Sequence, residues 1–279
     1  MILVTGATGN VGRNVVAGLL DRGADVRALV RDPARADLPD GVEVVRGDLT
    51  RPETLPAALD GVDTVFLLWP LVTADAAPPV LAAVGERPRR VVYLSSFGTP
   101  DDPEPRPGEL FHTAMERLIR RSGLAWTFVR PGGFATNTLG WAAQIRTGGT
   151  VQAPYGAAGR SLIHERDIAD VAVHALTADG QDGAVYELTG PEVLTQAEQV
   201  RVIGEVVGRR TAWEEIGRDE ALRRMLADGW SPGFADGALT AWGAMVDEPE
   251  IVTDTVEKVT GHPARTFRSW AADHADAFG

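Results

Sequence analysis

The chain has 279 residues, 44% of them hydrophobic, enough to bury one large core with an appended lobe but not a second independent enzyme. With 39 acidic against 27 basic residues the net charge is −12, which repels phosphate backbones and excludes non-specific nucleic-acid binding. There is no cysteine, which excludes disulfides, thiolate nucleophiles and Cys-ligated metals.

Met1–Val4 is an apolar run without polar alternation, the pattern of a central strand buried on both faces. A strand starting there leaves no room for an export leader, and no apolar run approaches ~18 residues. The expectation is a cytoplasmic protein with no membrane contact. Gly6, Gly9 and Gly12 come next. In order they suit a tight turn, the approach of backbone to a pyrophosphate, and close packing of the following helix. Val11, Val15, Val16, Leu19 and Leu20 then repeat with helical spacing towards a stop at Gly23. The turn therefore lies at a helix N-terminus, whose free N–H groups and dipole suit a dinucleotide, with Thr8 and Asn10 as further donors.

A second strand over Ala24–Val30 ends at Arg31-Asp32-Pro33, where such folds read the adenosine ribose. Asp32 has a competing task as N-cap ahead of Pro33. Arg31 has no local task, which favours NADP(H) over NAD(H), the latter remaining open; Arg13 is a second candidate for the phosphate. Val42–Val45 is the third strand, leading to Gly47-Asp48-Leu49, where Asp48 either meets the adenine edge or caps a turn. A short helix over 52–60 and a strand over Thr64–Leu68 follow, ending at Trp69-Pro70, whose backbone is expected beside the cofactor. A proline-interrupted helix over 74–86 precedes the strand Arg90–Leu94, which ends in Ser95-Ser96-Phe97-Gly98, and Thr99–Gly108 is a loop. The next helix has Leu110, Phe111, Ala114, Met115, Leu118 and Ile119 as its apolar face, with His112 and Glu116 one turn apart on another side. Trp126–Val129 is the sixth strand.

This alternation predicts an α/β fold, a Rossmann-type doubly wound parallel sheet over residues 1–134 with the ligand crevice at the carboxyl ends of its strands. Residues 135–279 read as a smaller C-terminal substrate-binding lobe with returning Rossmann elements over about 161–190, not an independent domain. Within it, 135–160 is Gly-rich without clear period. Asp167–Leu176 reads as a helix capped by Asp167, Val185–Leu188 as a strand, and Thr195–Glu198 as a capping box opening a helix to about Gly208. Residues 211–247 carry Trp213, Trp230 and Trp242, and a last helix begins near Pro263.

In Thr5-Gly-Ala-Thr-Gly-Asn-Val-Gly12, Leu29-Val-Arg-Asp32, Gly47-Asp-Leu49, Tyr93-Leu-Ser-Ser-Phe-Gly98, His112-x-x-x-Glu116, Ser122-Gly-Leu-Ala-Trp-Thr127, Arg130-Pro-Gly132 and Arg166-Asp-Ile-Ala169 the sequence resembles the NmrA-like members of the atypical short-chain dehydrogenases/reductases. The resemblance runs in order over about residues 1–190 and implies NAD(P)H as cofactor. Some members are quinone or azo-compound reductases and others bind the dinucleotide as sensors. Together with the readings above it places cofactor contacts at Gly6, Thr8, Gly9, Asn10, Val11, Gly12, Arg31, Asp48, Leu49, Trp69, Pro70, Ser95, Ser96 and Pro131, and substrate contacts at Phe97, Phe134, Trp141 and Tyr155.

The wider superfamily's Tyr-x-x-x-Lys pair is missing: none of Tyr93, Tyr155 and Tyr186 has a lysine four residues on. The spacing survives as His112-x-x-x-Glu116. His112 can donate a proton with Glu116 orienting it, and just as well Glu116 can pair with Arg120 while His112 is a polar residue on the helix flank. Ser95 is a candidate substrate-polarising hydroxyl or a loop cap. His164-Glu165 lacks the second histidine of a zinc-protease helix, and there is neither a Gly-x-Ser-x-Gly elbow nor a Gly-Lys-Ser/Thr loop. No metal and no flavin are expected. The expected reaction is hydride transfer from NADPH to a small conjugated, quinone-like acceptor, by a monomer or homodimer. The alternatives are a non-catalytic NADP(H)-sensing regulator and a tailoring reductase or isomerase acting on a ketone, imine or enone.

Overall fold

A computed structural model describes residues 1–85, 90–101 and 110–279. Its elements begin with β1 (Ile2–Thr5), α1 (Asn10–Leu20), β2 (Val26–Val30), β3 (Glu43–Arg46), α2 (Pro56–Leu59), β4 (Thr64–Leu67), α3 (Ala77–Gly85), β5 (Arg90–Leu94), α4 (Phe111–Arg121) and β6 (Ala125–Pro131). There follow α5 (Ala142–Gly148), β7 (Thr150–Ala153), β8 (Gly159–Arg160), α6 (Glu165–Thr177), β9 (Val185–Leu188), β10 (Leu194–Thr195), α7 (Gln196–Val207), β11 (Ala212–Glu215), α8 (Arg218–Ala227), α9 (Pro232–Asp247), α10 (Thr255–Thr260), α11 (Phe267–Asp273) and α12 (Ala275–Phe278). They divide into two compact units, one of Met1–Gly132, Glu165–Leu188 and Thr255–His262, the other of Gly133–His164, Thr189–Asp254 and Pro263–Gly279.

In the first unit seven parallel strands form one sheet in the order β3-β2-β1-β4-β5-β6-β9. The order turns back between β1 and β4, which puts a crevice at their carboxyl ends. Helices cover the sheet, so its middle strands are apolar throughout: every residue of β4 is buried. Helix α1 packs on α6, and α3 on α4. A Cβ at Gly18 would sit 3.1 Å from Val173 Cγ2, which explains how closely α1 and α6 can approach. Leu3, Leu29, Val65, Leu67, Met115, Ile119 and Phe128 are among the core residues.

The second unit has its own core, including Ile145, Val151, Ile203, Phe267, Trp270 and Phe278. Strands β7 and β11 pair in parallel, β8 and β10 antiparallel, and α11 packs on α7. The Thr195–Glu198 capping box forms, with Gly208 left-handed at the C-cap.

Several expected boundaries shift for local reasons. The helix expected over Asp167–Leu176 starts at Glu165 and holds Asp167 buried in its first turn. An acid just ahead of an apolar run suits the cap and the first turn equally, since the helix dipole favours both. Helix α3 begins at Ala77 with Pro78 and Pro79 in its first turn, where their missing N–H groups have no intrahelical acceptor anyway. The helix expected to begin near Pro263 begins at Phe267, where the Thr266 hydroxyl accepts the Ser269 N–H, and the short α12 follows it. Leu110 is 61% exposed at the N-cap of α4 and takes no part in its apolar face. Within residues 135–160, where no period is legible in the sequence, a 3-10 turn (Ala135–Trp141), α5, β7 and β8 take up all but residues 149 and 154–158. The proline-rich loop expected over Thr99–Gly108 lies, from residue 102 on, outside the described residues.

Candidate functional site

At the carboxyl end of β1, Thr5 staples the strand to β4. The Leu68 N–H donates to Thr5 Oγ1 at 2.7 Å, and that hydroxyl is 3.1 Å from the Phe66 carbonyl. The chain then turns through Gly6, left-handed at φ 64°, and a Cβ at Gly12 would come within 2.0 Å of the Gly6 carbonyl oxygen. These two positions therefore demand glycine, one for its φ and one for space. Gly9 is the N-cap of α1 without a side-chain cap, and the first turn of α1 has no acidic residue. By contrast with the boxed start of α7, this helix end keeps its N–H groups and positive dipole for an anion. The Arg13 guanidinium braces the turn, donating to the Thr8 carbonyl at 3.0 Å.

Beside this turn a cleft of about 630 Å³ opens along the ends of β1–β4. Gly6, Thr8, Arg31, Asp48, Leu49 and Pro70, all expected from sequence, line it, together with Asp32, Arg35, Thr50 and Leu68. The Asp32 carboxylate accepts the Ala34 N–H at 3.2 Å, so it caps the turn Pro33–Arg35. Asp48 Oδ1 accepts from the Thr50 N–H (2.9 Å) and hydroxyl (2.8 Å). The Thr50 N–H above all, against the effect of burial, holds the Asp48 carboxyl below its ordinary value, helped by Arg31 and Arg51. Arg31 and Arg35 are exposed at the mouth of the cleft. The Trp69 side chain turns inward, 6% exposed in the core with its Nε1 donating to the Thr73 carbonyl at 2.7 Å, which leaves only its backbone for the expected contact. Gly9, the N-cap, and Asn10, Val11 and Gly12, the first residues of α1, are not among the lining residues of the cleft, and Val11 and Gly12 are buried. These residues fit a dinucleotide: an uncapped helix end for its phosphates, a cradle that side chains would fill, and an arginine-bearing cleft for the adenosine.

Further along the same edge, β5, β6 and α4 build a second polar cluster. Ser95, buried after β5, donates its hydroxyl to Glu116 Oε1 at 2.6 Å. Arg130, buried at the end of β6, grips Glu116 with Nε to Oε1 (2.9 Å) and a terminal nitrogen to Oε2 (2.8 Å). Arg120 adds a contact to Oε2 at 3.2 Å, and Arg130 also reaches Asp101 at 2.9 Å. Glu116 is thus a fully buried ion-pair centre and does not orient His112 as the i,i+4 spacing allowed. His112 Nδ1 instead lies 2.8 Å from the Tyr93 hydroxyl. Burial lowers the His112 pKa to about 4 and pushes the Tyr93 phenol far up, aided by the Glu116 charge. A neutral histidine is a poor proton donor at neutral pH, so the structure counts against the acid role expected of it. The Ser95 and Phe97 N–H groups donate to the Val129 and Pro131 carbonyls, extending the sheet, while the Ser96 carbonyl accepts from the Thr99 hydroxyl.

The expected substrate residues Phe134, Trp141 and Tyr155 belong to the second unit. Phe134 bridges Ile163, and Trp141 meets Trp213 edge-on at 5.7 Å. Tyr155 is left-handed at φ 62°, a conformation a bulky side chain holds only under constraint. The constraint is Glu215, whose carboxylate accepts the N–H groups of Tyr155 and Gly156, the latter at 2.8 Å. Sequence reading missed Arg35 in the cleft, Arg130 as the partner of Glu116, and Tyr93 as the partner of His112. Arg35 had a signal, a second arginine four residues beyond Arg31. The other two depend on which strand lies opposite which helix face. Among the described residues no group of three or more His, Asp or Glu could hold a metal, and no helix is long and apolar enough to cross a membrane.

Residues 6–179 match the model of a family described as NAD(P)H-binding. Over 289 aligned positions, spanning 100% of this chain and 99% of the relative, the sequence is 42% identical to (4-alkanoyl-5-oxo-2,5-dihydrofuran-3-yl)methyl phosphate reductase from Streptomyces griseus. It is 39% identical to NAD(P)H azoreductase from Xenophilus azovorans, over 100% of this chain and 99% of that protein. Among solved structures, an NADPH-dependent quinone oxidoreductase from Escherichia coli superposes with a TM-score of 0.81 at 24% identity, over 98% of this chain and 99% of the other, a likeness of fold.

Proposed function

The chain belongs to the NAD(P)H-binding family, in its NmrA-like group of atypical short-chain dehydrogenases/reductases, and on that premise we propose that it is an NAD(P)H-dependent oxidoreductase that passes hydride to a small conjugated, quinone-like acceptor. The observation that carries this reading is the continuous carboxyl edge of the first unit, where an uncapped glycine-turned helix, an arginine-bearing cleft and the polar cluster of β5, β6 and α4 follow one another. Names carried by relatives of full length, an azoreductase and a furanylmethyl phosphate reductase, support the reaction class.

NADP(H) is the preferred cofactor in this reading. Arg31 and Arg35 supply planar charged donors at the ribose end, while the acid that would hold a bare ribose, Asp32, is occupied as a cap. The first unit holds the phosphates on backbone N–H groups and reads the adenosine. When bound, the reduced nicotinamide supplies the hydride. Phe134, Trp141 or Tyr155 is offered as an aromatic contact for the acceptor.

Calorimetric titration of the purified chain with NADPH and then NADH, followed by menadione while nicotinamide absorbance is recorded, tests the reading. Tight NADPH binding with rapid bleaching is the expected result. Binding without turnover of menadione or an azo dye would overturn it in favour of a dinucleotide sensor, a reading that the missing Tyr-Lys pair and the ion-paired Glu116 favour.

A further inference from the structure

Arg160 is enclosed, its side chain 13% exposed, yet most of its guanidinium is not spent on the protein. Its Nε donates to Glu250 Oε1 at 2.9 Å, and the other oxygen of that carboxylate accepts the Ser161 N–H at 2.7 Å. Neither terminal nitrogen of Arg160 has an acceptor among the described residues. The contrast is with Arg27, Arg90 and Arg130, whose side chains are 12%, 18% and 2% exposed. Each of these commits both terminal nitrogens to protein oxygens, because a donor withdrawn from water needs a partner. Among the described residues the buried side-chain nitrogens left without a partner belong to Arg27, Arg90 and Arg120, so the two ends of Arg160 are open to water. They are also held in place. A Cβ at Gly133 would lie 2.3 Å from Arg160 Nη2 and 2.7 Å from Leu162 Cδ2, so the end of the guanidinium rests on bare backbone. In the chain, Gly133 comes directly after Gly132, whose N–H donates to the Leu188 carbonyl at the ends of β6 and β9, and Phe134 follows.

We propose that the terminal nitrogens of Arg160, aimed by Glu250 and seated on Gly133, are a binding site for an oxyanion, and that the acceptor this chain reduces carries one: a carboxylate, sulfonate or phosphate. The assignment of that anion to the acceptor rests on the reductase reading above; the site does not. Two planar N–H donors side by side match two oxygens of such a group, a geometry that a lysine cannot offer. The pair with Glu250 fixes the guanidinium before a ligand arrives, which removes much of the side-chain ordering that binding would otherwise cost. A chain of net charge −12 repels anions in general, so the site selects those that can engage the fork. The anionic group takes no part in the redox step, and no bond to it forms or breaks. Its capture orients the conjugated part of the acceptor next to the segment Gly133-Phe134, which leaves β6 at its carboxyl end, the end at which parallel sheets bind their ligands.

Calorimetry on the full chain in excess NADP⁺, where no reduction occurs, reports the site independently of activity. The probes are 1,4-naphthoquinone-2-sulfonate and menadione, with benzoate, benzenesulfonate and phenyl phosphate alongside to rank the head groups. The sulfonated quinone should bind more tightly than menadione. R160Q should reduce that preference by about tenfold to a hundredfold, the worth of a charge-assisted pair of hydrogen bonds, and R160K, which keeps the charge but not the fork, by less. G133A, which leaves both Arg160 and Glu250 in the chain but puts a Cβ where Nη2 lies, should reduce it as well, and decides the matter should R160Q fail to fold. A preference that is absent in the wild type, or that survives both R160Q and G133A, would overturn the site; an Arg160 that only braces the fold through Glu250 predicts that survival. With NADPH, the ratio of kcat/KM for the sulfonated quinone to that for menadione should fall in the same variants. Reduction of menadione alone, with the sulfonate bound but not reduced, would overturn the assignment of the anion to the acceptor. Reduction of neither quinone would defeat the reductase reading and that assignment with it, while the calorimetry still decides the site.

Discussion

Replacing Glu116 by glutamine removes the charge at the centre of the ion-paired cluster while nearly keeping its shape. Glu116 and Arg130 are 0% and 2% exposed and joined by two hydrogen bonds at 2.8 and 2.9 Å, with Ser95 donating from β5 at 2.6 Å. Removing one partner of such a pair strands the other charge in the core, at a cost of roughly 3–5 kcal/mol. A shift of about 2–4 °C per kcal/mol then lowers the melting temperature by roughly 10 °C. Urea unfolding of wild type, E116Q, R130M and the double variant E116L/R130M would measure it as a cycle. The double variant should recover much of the loss, because it removes both buried charges and deprives Arg120 and Asp101, 20% and 82% exposed and so within reach of water, of a partner. A loss below about 1 kcal/mol in E116Q, or a double variant as unstable as the sum of the singles, would refute the reasoning.

Three further outcomes follow from named atoms. In R31A and R35A the dissociation constant for NADPH should rise roughly tenfold to a hundredfold in calorimetry, since a charge-assisted hydrogen bond contributes about 1.5–3 kcal/mol, with NADH nearly unaffected. Gly12→Ala puts a Cβ 2.0 Å from the Gly6 carbonyl oxygen, and should lower stability by about 1–3 kcal/mol and abolish dinucleotide binding, read by thermal melt and titration. The His112 pKa is depressed to about 4, so the unfolded chain takes up a proton first as pH falls. Wild type should therefore lose stability relative to H112Q between about pH 6.5 and 4, at up to about 1.4 kcal/mol per pH unit, and keep it above that window. Denaturation at several pH values checks this; a gap between the two that does not change with pH would contradict it.

The sequence by itself determined what is local or periodic. Gly6, Gly9 and Gly12 after an apolar strand specified the turn and the helix end, because φ, space and N–H exposure are properties of the chain near those residues. The capping box at Thr195–Glu198 and the strands at Arg90–Leu94 and Val185–Leu188 lay where their patterns put them. Both readings of Asp32 and Asp48 were open in sequence, and the structure shows each carboxylate in a turn. Tertiary structure alone decided the partners of α4. The spacing of His112 and Glu116 places them on one helix face but is silent about what lies opposite. Because β5 and β6 are neighbours in the sheet, Ser95 and Arg130 converge on Glu116, and Tyr93, two residues before Ser95, falls to His112. The same limit hid the hold of Glu215 on Tyr155, 60 positions earlier in the chain: such a contact forms only once the chain has folded, and no period along the chain encodes it.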